Sequence, residues 1–275
     1  MQRFRSNLTA GDLDQSEVDF FGTHGYLVCN NVLTADEIEQ VAKECDTLVA
    51  PSDGDQVLRY FEPSALDPSR QLLRRIERFV EEAPVIEQLL ASDRIQGRVS
   101  GLMKRPARLF KDKLNLKLPG GGGFRPHCDG HFVYRDRQGN ARKGWKEYGA
   151  SFMSVLISID KATVENGCLE LVPMEEAGRI IGRSFDEILK HTEGERHEIA
   201  EQYVAMLDFK PVPMDPGDVV FFDWRIPHSS QPNRSTMSRR LLFITYGDAS
   251  EGDRRTEYYA DKAESLGSPR EKAGR

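Results

Sequence analysis

The stretch FRPHCDGHF, Phe124–Phe132, comes after a run of four glycines and places His127, Asp129 and His131 within nine residues. Side chains alternate faces along a strand, so on an extended segment His127 and Asp129 point the same way and Cys128 points away. An imidazole and a carboxylate on one face can grip one cation from two sides. The preceding PGGGG, Pro119–Gly123, lacks the Gly-Lys-Ser/Thr of a phosphate-binding loop, and the segment after it reads as a strand rather than a helix. The glycines therefore read as a turn that brings the strand in close.

A third ligand must come from elsewhere. In GDVVFFDWRIPHSS, His228 comes after an apolar strand and a Pro turn, 99 positions after Asp129. Two histidines and one carboxylate make the facial triad of non-haem Fe(II) oxygenases, which leaves coordination positions open. Two rivals stand beside it. His131 lies on the same nominal face as His127 and Asp129, so a zinc hydrolase site His127/Asp129/His131 is one alternative. Gly130 breaks the strand between them, which favours His131 as a substrate contact. A jelly-roll binding protein without catalysis is the other.

Outward from the motif, the texture is that of strands. ARLFKDKLNLKLP (107–119) sets Lys111, Lys113, Asn115 and Lys117 on one face and Asp112, Leu114 and Leu116 on the other. SFMSVLISID, CLELVP, YVAMLDFKPVPM, GDVVFFDW and RLLFITYG continue the pattern, predicting an antiparallel sandwich or barrel. Upstream, SEVDFFGTHGYLVCNNVL predicts a short helix, a break at Gly25, then a strand. TADEIEQVAKECDTLV opens with a Thr34/Glu37 capping box, and SRQLLRRIERFVEEAPVIEQLL (69–90) predicts an amphipathic helix broken at Pro84. The expectation is one domain over 1–275, mainly β with flanking helices: a helical layer over about 1–100 and a β core over about 105–250. FVYRDRQGNARKGWKEYG (132–149) is polar and Gly-interrupted, and predicts a loop placed to act as a lid.

The net charge of −6 and a pI near 5.6 argue against a nucleic-acid partner. No apolar run approaches the roughly 18 residues that span a bilayer, and the N-terminus lacks a signal-peptide core, so a cytoplasmic protein with no membrane partner is expected. The four cysteines show no CxxC pairing and are expected as free thiols.

Taken together, FKDKLNLKLPGGGGFRPHCDGHF, ISIDKATVENGCLELVP, MDPGDVVFFDWRIPHSS and SRRLLFITY resemble, in order, the phytanoyl-CoA dioxygenase-like family of Fe(II)/2-oxoglutarate-dependent oxygenases, from about residue 20 to 260. The resemblance implies a double-stranded β-helix (jelly-roll) core and His127, Asp129 and His228 as iron ligands. It implies Arg239, eleven residues after His228, as the partner of the distal 2-oxoglutarate carboxylate. Ser230 and Lys117 match further co-substrate contacts, and Asn115 shares Lys117's strand face. Fe(II) would be the metal, with 2-oxoglutarate and O2 as co-substrates and succinate and CO2 as products. The chain departs from the family at VPMEEAG (172–178), where many members carry a Pro-Gly-Ser-His turn. Asp129 keeps the carboxylate that halogenating relatives lose, so hydroxylation or oxidative ring closure is implied. The expected substrate is a small polar metabolite, such as a phosphonate or a sugar-containing natural product, contacted by His131, Arg125, Lys113, Tyr134 and Trp145.

Overall fold

Local sequence explains the entry into the sheet. The helix Gln15–His24 starts at a capping box: the Glu17 backbone N–H donates to Asp14 Oδ1 (2.8 Å) and the Asp14 N–H to Glu17 Oε2 (3.0 Å). It ends where Gly25 takes φ 72°, a left-handed conformation that costs glycine nothing, and the chain turns straight into a strand. The helix Ala35–Thr47 begins at the expected Thr34/Glu37 box. The computed structural model describes residues 4–5, 13–51, 54–135, 139–181, 189–190 and 198–266.

In chain order the strands are β1 Phe4–Arg5, β2 Tyr26–Asn30, β3 Leu58–Pro63, β4 Gln71–Glu77, β5 Ala107–Lys117, β6 Phe124–His127, β7 Tyr134–Arg135 and β8 Ala141–Arg142. They continue with β9 Phe152–Ser158, β10 Leu169–Leu171, β11 Leu189–Lys190, β12 Glu198–Ile199, β13 Lys210–Val212, β14 Val219–Asp223, β15 His228–Ser230 and β16 Arg239–Asp248. Eight form one sheet in the order β1-β2-β14-β9-β16-β5-β4-β3, and four form a second, β13-β10-β15-β6. Pairing is antiparallel throughout both, apart from β1 against β2. The two sheets enclose the jelly-roll core, and the helices lie outside it.

The larger sheet is buried on both faces. Leu114, Ile157, Phe221 and Ile244 pack outward against Val41, Ile86 and Val99 of the helical layer. Leu156, Phe222, Leu241 and Phe243 pack inward against Leu169, Leu171 and Val212. Each such side chain contributes about 1.5–3 kcal/mol when fully buried. Two-sided burial is why β9 reads as a nearly unbroken apolar run.

Two elements differ from expectation. Gln71–Glu77 is a strand, not helix; the helix begins only at Pro84, whose fixed φ suits a first helical position. Leu and Arg favour helix, but pairing of Arg75, Ile76 and Glu77 with Asn115, Leu114 and Lys113 of β5 overrides that preference. The first hundred residues are therefore not a helical layer alone: β2, β3 and β4 among them extend the main sheet. In 203–214 only Lys210–Val212 is strand, since Glu201–Val204 is helical. Along β3 and β4 the register jumps from Tyr60↔Arg75 to Phe61↔Leu73, a bulge at Arg74. Among the described residues no helix is long and apolar enough to cross a membrane.

Candidate metal centre

A cavity of about 240 Å³ opens between the two sheets. His127 and His228 face each other across it because they are direct cross-strand partners on β6 and β15. Their rings lie 4.2 Å apart. Strand β6 ends at His127, and Asp129 sits in the next turn, with Gly130 at φ 69°. The shared-strand reading of His127 and Asp129 is thus corrected: the turn, rather than strand alternation, brings the carboxylate round. One ligand atom each from His127, Asp129 and His228 lies within 4.8 Å of the others.

The donor set is prepared for a cation. Nδ1 of His127 is 2.7 Å from the Arg125 carbonyl, and Nδ1 of His228 is 2.9 Å from that of Ile226. A carbonyl only accepts, so each Nδ1 carries the hydrogen and each Nε2 keeps a lone pair. Nε2 of His228 is buried and hydrogen-bonds to no described residue. A buried acceptor left this way costs about 1–3 kcal/mol unless something binds it. Burial pushes the His127 imidazole down to about 3, with help from His228, and burial lowers His228 as well. Burial raises the Asp129 carboxyl, but Lys113, the two histidines and Ser154 outweigh it and hold it at about 2. At neutral pH the site is two neutral imidazoles and one carboxylate. Ser154 donates to Asp129 Oδ2 at 2.5 Å and fixes its orientation.

Deeper in, Arg239 pairs across the sheet with Lys117 and is buried. Lys117 Nζ donates to Ser230 Oγ (2.8 Å), the Gln231 carbonyl (2.6 Å) and the Gly167 carbonyl (3.2 Å); Arg239 also donates to the Gly167 carbonyl. Gly167 sits at φ 76°, and a Cβ there would lie 2.1 Å from the Gln231 carbonyl oxygen and 2.7 Å from Lys117 Nζ. Only glycine allows that junction. Burial pulls Arg239 down to about 10 and, with Arg239 beside it, Lys117 to about 6. Among the described residues no carboxylate bonds to either, and Arg239 Nε is buried without a hydrogen bond. A buried guanidinium beside an amine that an incoming anion would charge can take a carboxylate. Arg240 points to the opposite face and is held by Asp160 (2.8 Å) and Asp46 (2.6 Å).

The other expected contacts divide. Lys113 and Asn115 line the cavity; Lys113 Nζ is 3.8 Å from Asp129 Oδ1 and 3.8 Å from the Phe243 ring centre. Arg125 stands at the rim, largely exposed, bonded to Glu198 at 2.9 Å. His131 stacks on Trp224 (4.6 Å, 23°), outside both the ligand group and the cavity lining, so the His127/Asp129/His131 zinc site does not form. Trp145 packs with Phe110 and Phe152 beneath the Gly130 turn, away from the cavity. It and Tyr148 pin the second half of the expected lid; residues 136–138 and the side chain of Tyr134 lie outside what the structure describes. Sequence reasoning missed Ser154, whose signal was a serine at an inward position of an apolar strand, and Arg74 and Arg75, hidden by the helical reading.

Residues 21–241 match the family model described as phytanoyl-CoA dioxygenase (PhyH). The chain is 34% identical over 258 residues to a methylphosphonate hydroxylase of Gimesia maris, covering 92% of this chain and 88% of that protein. It is 34% identical over 210 residues to a 2-aminoethylphosphonate dioxygenase of an uncultured bacterium, covering 76% and 71%. Among solved structures it superimposes on EctD from S. alaskensis with 2-oxoglutarate and 5-hydroxyectoine (TM-score 0.66, 22% identity, 90% of this chain and 79% of that one). The carbocyclase SnoK of nogalamycin biosynthesis gives 0.65 at 19% identity, over 86% and 85%. At such identities these two structures speak for the fold.

Proposed function

The chain belongs to the phytanoyl-CoA dioxygenase family, and from that premise we propose that it hydroxylates a C–H bond of a small phosphonate, with the whole chain acting as one oxygenase domain. It is an Fe(II)- and 2-oxoglutarate-dependent dioxygenase of small metabolites. His127, Asp129 and His228 hold the iron in this reading, and the observation that carries it is the buried, unbonded Nε2 of His228 facing the Asp129 carboxylate. With 2-oxoglutarate bound, iron supplies the oxidising chemistry: O2 is reduced as the keto acid is decarboxylated to succinate and CO2, and the substrate C–H bond is oxidised.

The chain's own residues prepare that chemistry. Arg239, Lys117 and Ser230 receive the distal carboxylate of 2-oxoglutarate, the arginine through a planar two-point contact. Asn115, whose Oδ1 is buried and hydrogen-bonds to no described residue, faces the same space. Leu156, Leu241 and Phe243 form an apolar wall that keeps water from the reacting centre. The two relatives at 34% identity support a phosphonate substrate. The test is succinate release from 2-oxoglutarate under air with Fe(II), screened over methylphosphonate, 2-aminoethylphosphonate and sugar-containing compounds. Substrate-coupled succinate with a phosphonate is expected; coupling only with sugars would overturn the substrate assignment.

Two expected outcomes concern the residues around the ligands. Ser154→Ala is expected to weaken Fe(II) binding about 10–100-fold, the usual cost of losing a group that orients a ligand. Anaerobic Fe(II) titration reads it, and wild-type affinity would remove Ser154 from this role. Lys117, held near 6 by burial, is largely neutral at pH 7.5. An incoming carboxylate favours its charged form, so 2-oxoglutarate binding is expected to take up protons at that pH. Calorimetry in buffers of different ionisation enthalpy measures the uptake; release of protons would contradict the assignment.

A further inference from the structure

The bulge on β4 shifts the register by one residue at Arg74. In a regular strand Arg74 and Arg75 would face opposite sides. The extra residue instead lets both line the cavity that holds His127 and His228, while Ile76 returns to the outer core. Bulges are enriched where a side chain must be re-aimed beside an active site.

The cavity's charge is lopsided. Its lining includes five cations, Arg74, Arg75, Lys113, Arg125 and Arg239, against one carboxylate, Glu198. Arg239 is assigned to 2-oxoglutarate, Arg125 is occupied at the rim by Glu198, and Lys113 lies against Asp129. The two bulge arginines also have carboxylate partners, Glu62 and Glu77, which hold them in fixed poses along the cavity wall. Arg74 bonds Glu62 (3.0 Å) and the Gly123 carbonyl (3.0 Å) and lies over the Phe124 ring at 4.1 Å. Arg75 meets Glu77 at 2.9 Å and lies over the Tyr60 ring at 4.4 Å. Glu77 is fully buried and also serves Lys262 (2.6 Å) and Lys111 (3.4 Å). One carboxylate shared by three cations orients Arg75 without neutralising its surroundings.

We propose that Arg74 and Arg75 form the subsite that receives the oxyanion head group of the substrate, and so select phosphonates over neutral analogues. The inference rests on the phosphonate reading above. A guanidinium offers two parallel N–H groups that match two oxygens of a tetrahedral phosphonate, and two guanidiniums lining one cavity suit a dianion. The reacting carbon, bonded to phosphorus, would then be presented toward the His127/Asp129/His228 group from the β4 side, while 2-oxoglutarate occupies the β16 side.

The test uses the full chain with Fe(II) as wild type, Arg75→Gln, Arg75→Lys and Arg74→Gln, each checked by thermal melting. Turnover is followed with methylphosphonate and 2-aminoethylphosphonate, and anaerobic calorimetry with Fe(II) and 2-oxoglutarate follows methylphosphonate binding. Arg75→Gln is expected to raise the phosphonate KM about 10–100-fold, the loss of one charge-assisted contact. The KM for 2-oxoglutarate stays within about twofold. Arg75→Lys recovers part of the loss, and Arg74→Gln, whose partner Glu62 is closer to solvent, serves should Arg75→Gln fail to fold. A phosphonate KM unchanged in the folded variants, or a rise confined to the 2-oxoglutarate KM, overturns the subsite while leaving phosphonate oxidation standing. Wild-type protein that binds methylphosphonate through these arginines but never oxidises it would support the subsite and sink the proposed reaction. Wild-type protein that binds no phosphonate overturns the subsite.

Discussion

His228→Ala is expected to reduce 2-oxoglutarate-coupled turnover to background and to abolish the Fe(II)-dependent rise in melting temperature. In the wild type, a metal bound only by the folded state stabilises it by about 2.7 kcal/mol at a hundred times its dissociation constant. The variant loses the ligand contributed by β15, and the remaining His127 and Asp129 cannot close the group. The metal-free variant still has to fold, since His228 sits among Phe222 and Phe243 and leaves only a cavity. The two readouts separate cause from collapse: a folded variant without a metal-induced shift has lost the site. A folded variant that keeps wild-type turnover would refute the ligand assignment.

The second large effect divides adjacent arginines. Arg239→Ala is expected to raise the 2-oxoglutarate KM roughly 10²-fold, equivalent to about 3 kcal/mol for a buried charge-assisted pair. Arg240→Ala should leave that KM within about twofold and lower the melting temperature instead, because its guanidinium clamps Asp160 and Asp46 on the outer face. The contrast depends on strand register alone: a reversal of the two effects would mean that β16 faces the other way.

The parts of the site legible in the sequence were those with a local chemical signature. His127, Asp129 and His228 stand out because two histidines and a carboxylate flank apolar strands, whereas Arg239 was singled out only through the family resemblance. Arg240's separate role comes from alternation along β16. What escaped was decided by distant contacts. RRIE in β4 suits a helix as well as a strand until β5 lies beside it, and no local signal announces the bulge that turns Arg74 inward. Trp145 looked like a pocket aromatic because its loop is polar, yet the Gly130 turn rests on it. His131 shared a nominal face with its neighbours only so long as the strand was imagined to continue past His127.

The position of β16 has a kinetic consequence. This strand lies in the middle of the eight-stranded sheet, between β9 and β5, yet it comes after every other strand of that sheet in chain order. Until residues 239–248 emerge, strands β5 and β9 present two open edges, and β14 can reach β2 only across most of the chain. Such non-local closure folds slowly, and the unfinished sheet is the species most prone to stick to its own copies. Aggregation of any product truncated before residue 239 is the expected result of leaving the closing strand of the sheet to the end of this fold.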